Sequence, residues 1–165
     1  MPTATERDAL QRQVHTVRTF NRYYTMRLGL LRGRYLNSDF SLTEARILYE
    51  LEQGSGITAA SLCRSLSLDA GYISRLLASF EKRGLLQTKP SPHDRRAMLL
   101  KLTPSGKRIA ARLSRQSSHE MELLLQTVPA AERLALIQSL SRAQHILSFA
   151  ETIRDRTSPA KVIAR

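Results

Sequence analysis

The order of short segments between residues 58 and 102 constrains the fold more than any other feature of the sequence. Thr58 is placed to cap a short helix over residues 59–65, and residues 67–69 form a brief turn. Asp69 is a good N-cap for a second, amphipathic and basic helix over residues 70–83. Two short helices joined by a tight turn are typical of a helix-turn-helix, whose second helix enters the major groove of DNA.

A β-hairpin is predicted directly after the second helix. Gly84 is a natural residue to end that helix. Residues 85–89 and 97–102 then have the character of short strands, and the turn-rich loop between them ends in two adjacent arginines. Alternation puts three apolar side chains of the second strand on one face: Met98, Leu100 and Leu102. A basic hairpin in this place, called a wing, is positioned to contact the DNA backbone and the minor groove.

The second helix has two chemically different faces. The apolar face consists of Ala70, Ile73, Leu76, Leu77 and Phe80. The opposite face is small and basic and centres on Gly71, Arg75, Ala78 and Lys82, with Tyr72, Ser74 and Ser79 beside it. Small side chains let a helix approach a groove closely, and an arginine can reach base edges, guanine above all. We therefore predict that this face binds DNA; the alternative is an ordinary surface that carries one arginine.

Long helices are predicted on both sides of this middle part. A helix over residues 6–32 has a heptad-like seam of Leu10, Val14, Val17, Asn21, Tyr24, Leu28 and Leu31. Helices over 104–126 and 130–155 follow the hairpin, and the last has a similar seam of Leu136, Leu140, Ala143, Leu147 and Ala150. We expect the terminal helices to pack together across a two-fold axis in a homodimer. The alternative is that the first helix lies across the core of its own domain.

The charge of the chain favours a polyanionic partner. The 165 residues carry a net charge of +12, and residues 69–112 contain ten basic and three acidic residues. A solvated face would usually mix the two signs, so this concentration favours an element that binds nucleic acid. The alternative is a basic surface that is merely well solvated.

Composition also excludes several classes of protein. One cysteine, Cys63, rules out a disulfide scaffold and a Cys-rich zinc module. No apolar run approaches the roughly 18–20 residues that cross a bilayer, and the N-terminus lacks the pattern of a signal peptide. We therefore expect a cytoplasmic protein with no membrane partner. Cys63 is expected to be a small core residue rather than a redox sensor.

The stretch from residue 42 to residue 113 resembles the MarR family of winged helix-turn-helix regulators. The resemblance lies in the order of five short motifs: Leu42-Thr43-Glu44-Ala45-Arg46, Ser74-Arg75-Leu76-Leu77, Phe80-Glu81-Lys82-Arg83-Gly84-Leu85, Asp94-Arg95-Arg96 and Leu102-Thr103-Pro104-Ser105-Gly106. It implies a homodimer that binds a roughly palindromic DNA duplex, with each recognition helix in a major groove and each wing in the neighbouring minor groove.

The resemblance also implies roles for single residues. Arg96 matches the arginine that reaches the minor groove, Asp94 helps to position the wing, and Ser74 and Arg75 lie where the family contacts bases and phosphates. The residue chemistry itself adds phosphate contacts. The candidate DNA-binding set is Gly71, Tyr72, Ser74, Arg75, Ser79, Lys82, Lys89, Arg95 and Arg96.

Many members of this family bind small aromatic or anionic ligands between the dimer helices and the DNA-binding lobe. The resemblance therefore implies a repressor that such a ligand releases from DNA. An arginine–tyrosine combination suits a carboxylate on an aromatic body. The candidate pocket residues are His15, Arg18, Tyr23, Arg27, Arg46 and Tyr49. The alternative is that these tyrosines pack in cores and these arginines face water.

Two other functions stay open at this point. Residues 68–75 resemble a branch of the family in which the MarR domain is fused to a GNAT-type acetyltransferase, so one alternative is that the chain is the DNA-binding part of, or a partner to, such an enzyme. The other alternative is an architectural DNA-binding protein without an effector. The sequence contains no catalytic constellation and no metal-ligand spacing, so we expect neither enzymatic activity nor a cofactor.

The sequence thus predicts a mainly α protein with a small β-hairpin wing, in which terminal dimerisation helices flank a winged helix-turn-helix. The expected divisions are an N-terminal dimerisation helix over 1–40, a DNA-binding lobe over 41–103, C-terminal dimerisation helices over 104–156 and a flexible tail over 157–165. Within the lobe, the recognition helix covers 70–83 and the wing 85–102.

Overall fold

The computed structural model describes residues 3–31, 33–92 and 97–157, except for the side chains of residues 4 and 151–157. Its elements are, in order, α1 (Ala4–Arg27), a 3-10 turn (Tyr35–Asn37), α2 (Leu42–Gln53), α3 (Ala59–Leu66), α4 (Ala70–Lys82), β1 (Leu86–Pro90), β2 (Met98–Leu102), α5 (Pro104–Gln126) and α6 (Ala130–Thr157). The predicted fold class, mainly helical with one antiparallel hairpin, is confirmed.

The chain divides into two compact units, Met1–Ser117 and Ser118–Arg165, and α5 runs through the boundary between them. The expected functional divisions at residues 40, 103 and 156 stay predictions. None of the described helices combines the length and the apolar character needed to span a membrane.

Side chains within one turn of each helix start fix where the helices begin. Ser41 caps α2, Thr58 caps α3 and Asp69 caps α4, and the caps at Thr58 and Asp69 confirm the sequence analysis. At the start of α2 the capping is reciprocal: the Ser41 hydroxyl accepts the Glu44 N–H, and the Glu44 carboxylate accepts the Ser41 N–H.

The prediction for the first helix was wrong at its C-terminal end. α1 stops at Arg27 rather than at residue 32. Gly29 has a φ of +64°, its N–H donates to Met26 O, and the N–H of Leu30 donates to Thr25 O. These bonds form a Schellman motif, in which a glycine in the left-handed region ends the helix. The same motif ends α4, where Gly84 has a φ of +67° and the Leu85 N–H donates to Phe80 O, as predicted for Gly84.

One hydrophobic core joins the elements of the DNA-binding lobe. Its largest fully buried side chains are Phe80, Ile47, Leu48, Leu62 and Ile73, from α2, α3 and α4. The hairpin and the start of α5 complete it with Leu85, Leu86, Leu100, Leu102, Ala110 and Leu113. The apolar face of α4 therefore anchors this helix to the centre of the lobe.

The hairpin is attached to the helices through β2. Leu86 pairs with Leu102 and Pro90 with Met98, so the two strands are antiparallel and paired in one continuous register. Leu100 and Leu102 are buried, whereas Met98 lies past the end of the core and is 44% exposed. The Leu100 N–H also donates to the carbonyl oxygen of Ile57, at 2.8 Å, so the loop between α2 and α3 is bonded to the sheet.

The terminal helices carry large apolar side chains on their surface. Those of α1 are Leu10, Val14, Val17, Phe20, Tyr23 and Met26, all exposed. Those of α6 are Leu134, Ile137, Leu140, Ile146, Leu147 and Phe149, also exposed. Exposed apolar patches of this kind are typical of surfaces that an assembly covers.

We predict that Gly106→Ala destabilises the lobe. A Cβ on Gly106 would collide with the carbonyl oxygen of Leu85 and would lie 3.2 Å from Leu102 Cδ2. Because the closest group is backbone, we expect a loss of about 1–3 kcal/mol in the free energy of unfolding, measured with urea. Gly33→Ala is the matched control, since its Cβ meets no atom within 4 Å. A Gly106→Ala variant as stable as the wild type would contradict the close approach.

Candidate nucleic-acid interface

The face of α4 that points away from the core is exposed and basic. Ile73, Leu77 and Phe80 are buried on the inner side of the helix. We define the outer face of α4 as the exposed Gly71, Ser74, Arg75, Ala78, Ser79 and Lys82, together with the half-buried Tyr72. The structure thus brings together on one surface the six DNA-binding candidates that the sequence placed on this helix. Ala78, which is not a candidate contact, lies on the same surface.

The N-terminal end of this surface is held by its own residues. The Asp69 carboxylate accepts the N–H of Tyr72 at 2.9 Å. A Cβ on Gly71 would lie 3.1 Å from Asp69 Oδ1 and 3.6 Å from Arg75 Nη1. Glycine therefore leaves room here for the capping carboxylate and for the arginine that crosses the outer face.

The hairpin, which follows α4 along the chain, carries further exposed lysines. The predicted contact Lys89 is exposed on β1. Its cross-strand partner is Leu99, and Gln87 pairs with Lys101, so the register places both lysines on the hairpin face opposite the buried Leu100. Lys101 was not among the predicted contacts, and strand alternation is the sequence signal that singles it out. The predictions for Asp94, Arg95 and Arg96 lie outside the described residues.

The basic residue at the C-terminal end of α4 differs from those on the outer face. Arg83 follows the last residue of the helix, and its Nη1 donates to Glu44 Oε1 at 3.1 Å. Its guanidinium also lies over the Phe40 ring, with 4.3 Å between Cζ and the ring centroid. The charge of Arg83 is therefore matched within the lobe, and sequence reasoning missed this pairing.

The candidate ligand residues fall into two groups. On α1, His15 and Arg18 line an open depression of about 290 Å³ together with Gln11, Val14 and Arg22, whereas Tyr23 and Arg27 are exposed. On α2, the Arg46 guanidinium lies 5.5 Å from the centre of the Tyr49 ring and contacts Glu50 Oε1 at 2.9 Å. Among the described residues, no hydrogen bond, ion pair or ring contact joins the two groups. A shared pocket stays a prediction.

Metal ligands and the single cysteine are the remaining candidates for chemistry in the part of the chain that the structure describes. Those residues contain no group of three or more His, Cys, Asp or Glu side chains that could hold a metal ion. Cys63 is a half-buried thiol that packs against the core of the lobe.

The middle of the chain matches a known family of proteins. A sequence model of the MarR family matches residues 38–97, which contain α2, α3, α4 and β1. Over these residues the chain is similar to the MarR family of DNA-binding transcriptional regulators with a winged helix-turn-helix.

Similar proteins extend the match over more of the chain. The multiple antibiotic resistance protein MarR of Salmonella typhimurium is 28% identical over 111 residues, 67% of this chain and 77% of that protein. The fold matches Streptococcus pneumoniae FabT, solved in complex with DNA, with a TM-score of 0.65, 19% identity and coverage of 86% and 99% of the two chains. It also matches Bordetella bronchiseptica BpsR, whose DNA binding is regulated by 6-hydroxynicotinic acid, with a TM-score of 0.62, 18% identity and coverage of 79% and 98%.

We predict that Asp69→Ala destabilises the protein by about 1 kcal/mol, because the N–H of Tyr72 loses its acceptor at the start of α4. Urea unfolding measures the change. Asp69→Asn keeps an acceptor oxygen and should stay within a few tenths of a kcal/mol of the wild type. Equal losses in the two variants would show that the charge of Asp69, rather than its cap, supports the helix.

Proposed function

We propose that the protein is a homodimeric repressor of the MarR type that binds a roughly palindromic DNA operator and is released by a small aromatic or anionic ligand. The observation that carries the DNA-binding part is the outer face of α4, which is small, basic and exposed directly opposite the residues that anchor the helix. A helix of this kind can bring its backbone close to a major groove.

The proposed contacts divide by chemistry. Arg75, at the centre of the outer face, reads base edges, and guanine is the partner that its two-pronged guanidinium prefers. Ser74, Tyr72 and Ser79 add polar contacts at the edges of the groove. Lys82 and Lys89 bind phosphates, which gives affinity and salt dependence without sequence preference. Arg95 adds a further phosphate contact, Arg96 reaches into the minor groove and Asp94 positions the wing; the resemblance to the family supports the roles of Arg96 and Asp94.

The homodimer is supported by the exposed apolar faces of α1 and α6. Leaving such faces in water is unfavourable, at about 25 cal/mol for each Å² of apolar surface. A second copy of the chain offers the same faces, so a two-fold interface buries both. A dimer also presents two recognition helices, and a palindromic site with half-sites about one helical turn apart matches that symmetry.

The ligand is proposed to act on the spacing of the two recognition helices. Ligand binding favours a dimer whose α4 helices no longer fit successive major grooves. BpsR supports the chemical class, because an aromatic acid regulates its DNA binding. In this chain, Arg46 over Tyr49 and the depression beside His15 and Arg18 are the proposed places for a carboxylate on an aromatic ring.

We predict that Arg75→Ala weakens binding to the operator by about 1–3 kcal/mol and relaxes its specificity. Fluorescence anisotropy with duplex DNA from the promoter beside the gene, against a scrambled duplex, measures both effects. Lys82→Ala is the matched control: it should weaken both duplexes and lower the salt slope by about 1. Equal losses on the two duplexes for Arg75→Ala would remove its role as a base reader.

We also predict that one member of a panel of aromatic acids weakens operator binding by about 5-fold to 150-fold. The corresponding amides, which lack the carboxylate, serve as controls and should leave the affinity unchanged. Selective operator binding that no acid alters would contradict the effector. Equal, steeply salt-dependent binding to both duplexes would leave an architectural DNA-binding protein instead.

A further inference from the structure

Arg83 and Glu44 connect the end of α4 to the beginning of α2. The Arg83 side chain is 35% exposed and that of Glu44 only 16%, and their Nη1 and Oε1 atoms lie 3.1 Å apart. The guanidinium is stacked on two rings as well, with its Cζ 4.3 Å from the centroid of Phe40 and 5.9 Å from that of Phe80. Arg83 is thus held on one side by a carboxylate and on the other by aromatic faces.

The Glu44 carboxylate serves both helices at once. Its Oε2 accepts the Ser41 N–H at 2.8 Å and closes the capping box that starts α2. Its Oε1 accepts from Arg83 at the end of α4. Because the cap fixes the position of this carboxylate, the carboxylate in turn fixes where the last turn of α4 can lie.

The same contacts continue into the segment between α1 and α2. Phe40, under the guanidinium, is buried; its N–H donates to Ser38 Oγ, and its carbonyl oxygen accepts the Tyr35 N–H. The Tyr35 hydroxyl donates to Ser117 Oγ on α5 at 3.0 Å. A continuous set of contacts therefore links the end of α4 with the chain that leaves α1 and with α5.

We propose that Arg83 and Glu44 are a positioning pair that sets the orientation of α4 for operator recognition, and that Arg83 does not bind DNA phosphate. The proposal rests on the proposed function, in which α4 is the recognition helix. Its reason is electrostatic and geometric. A guanidinium whose charge is already matched by a carboxylate releases few counterions on DNA binding. Loss of Arg83 instead frees the C-terminal end of α4. The side chains of α4 are then no longer held at fixed positions against the base edges.

Glu44→Gln gives the sharpest test, because the substitution removes a negative charge near a polyanion. Simple electrostatics predicts tighter binding to any duplex. The positioning pair predicts the reverse: operator binding about threefold to tenfold weaker, with scrambled-duplex binding no weaker and the salt slope unchanged. Glutamine retains the oxygen needed for the capping box, so the start of α2 is preserved. Glu81→Gln, an exposed acid near the end of α4, is the matched control and should not weaken operator binding.

Arg83→Lys separates the two roles of the arginine. Lysine keeps the positive charge but lacks the planar group that stacks on Phe40 and bonds Glu44. We expect it to weaken operator binding about as much as Glu44→Gln, and the Arg83→Lys/Glu44→Gln double variant to lose little more than either single variant. Full operator affinity in Arg83→Lys, or a salt slope lowered by about 1 in Arg83→Gln, would make Arg83 a phosphate contact and overturn the proposal.

Amide hydrogen exchange of the full chain without DNA tests the pair independently of the proposed function. Exchange in residues 79–85 should become faster in Glu44→Gln and stay unchanged in Glu81→Gln. Unchanged exchange in both variants would overturn the positioning role even if the wild type selects its operator. Faster exchange in Glu44→Gln, together with equal binding of the wild type to both duplexes, would support the positioning pair and contradict the proposed operator binding.

Discussion

The DNA-binding lobe depends on the burial of one face of α4. Phe80 and Ile73 are fully buried and Leu77 nearly so, among the side chains of α2, α3 and the hairpin. Burying side chains of this size contributes about 1.5–3 kcal/mol each, so the rotation of α4 about its axis is strongly fixed. Every residue on the outer face takes its direction from that burial, because the two faces lie on opposite sides of one helix.

Fixing the rotation of a helix does not fix its tilt. The N-terminal end of α4 is held by the Asp69 cap, and its C-terminal end by the Schellman turn at Gly84 and by Arg83. The contacts of Arg83 with Glu44 and Phe40 reach outside the helix, and they add a polar link to α2 beside the apolar packing of the core. A recognition helix needs both kinds of constraint, since base edges are read at hydrogen-bond distances.

The concentration of positive charge in the middle of the chain has more than one use. Arg75, Lys82 and Lys89 are exposed and suited to a polyanion. Arg83 lies in the same stretch of sequence, but its charge is balanced inside the lobe. Counting charges along the sequence points to the same segment as the family match, but it does not separate the exposed cations from Arg83, which is paired within the lobe.

Local features of the fold were predictable from the sequence by itself. The starts of α2, α3 and α4, the end of α4 at Gly84 and the two faces of α4 depend on residues within one or two helical turns. The same local rule, applied to Gly29, places the end of α1 correctly. The candidate residues on α4 follow from this periodicity, whereas the ligand residues have no such pattern to bring α1 and α2 together.

Contacts between distant parts of the chain were decided only by the tertiary structure. Glu44 and Arg83 are 39 residues apart, Ile57 bonds to Leu100, and Gly106 lies against Leu85. No sequence spacing predicts such pairs. They form only after core packing has brought separate elements together and has offset the entropy cost of closing the loops between them. The sequence alone therefore determined which face of α4 is turned outward, and the packing of the lobe determined how that face is held.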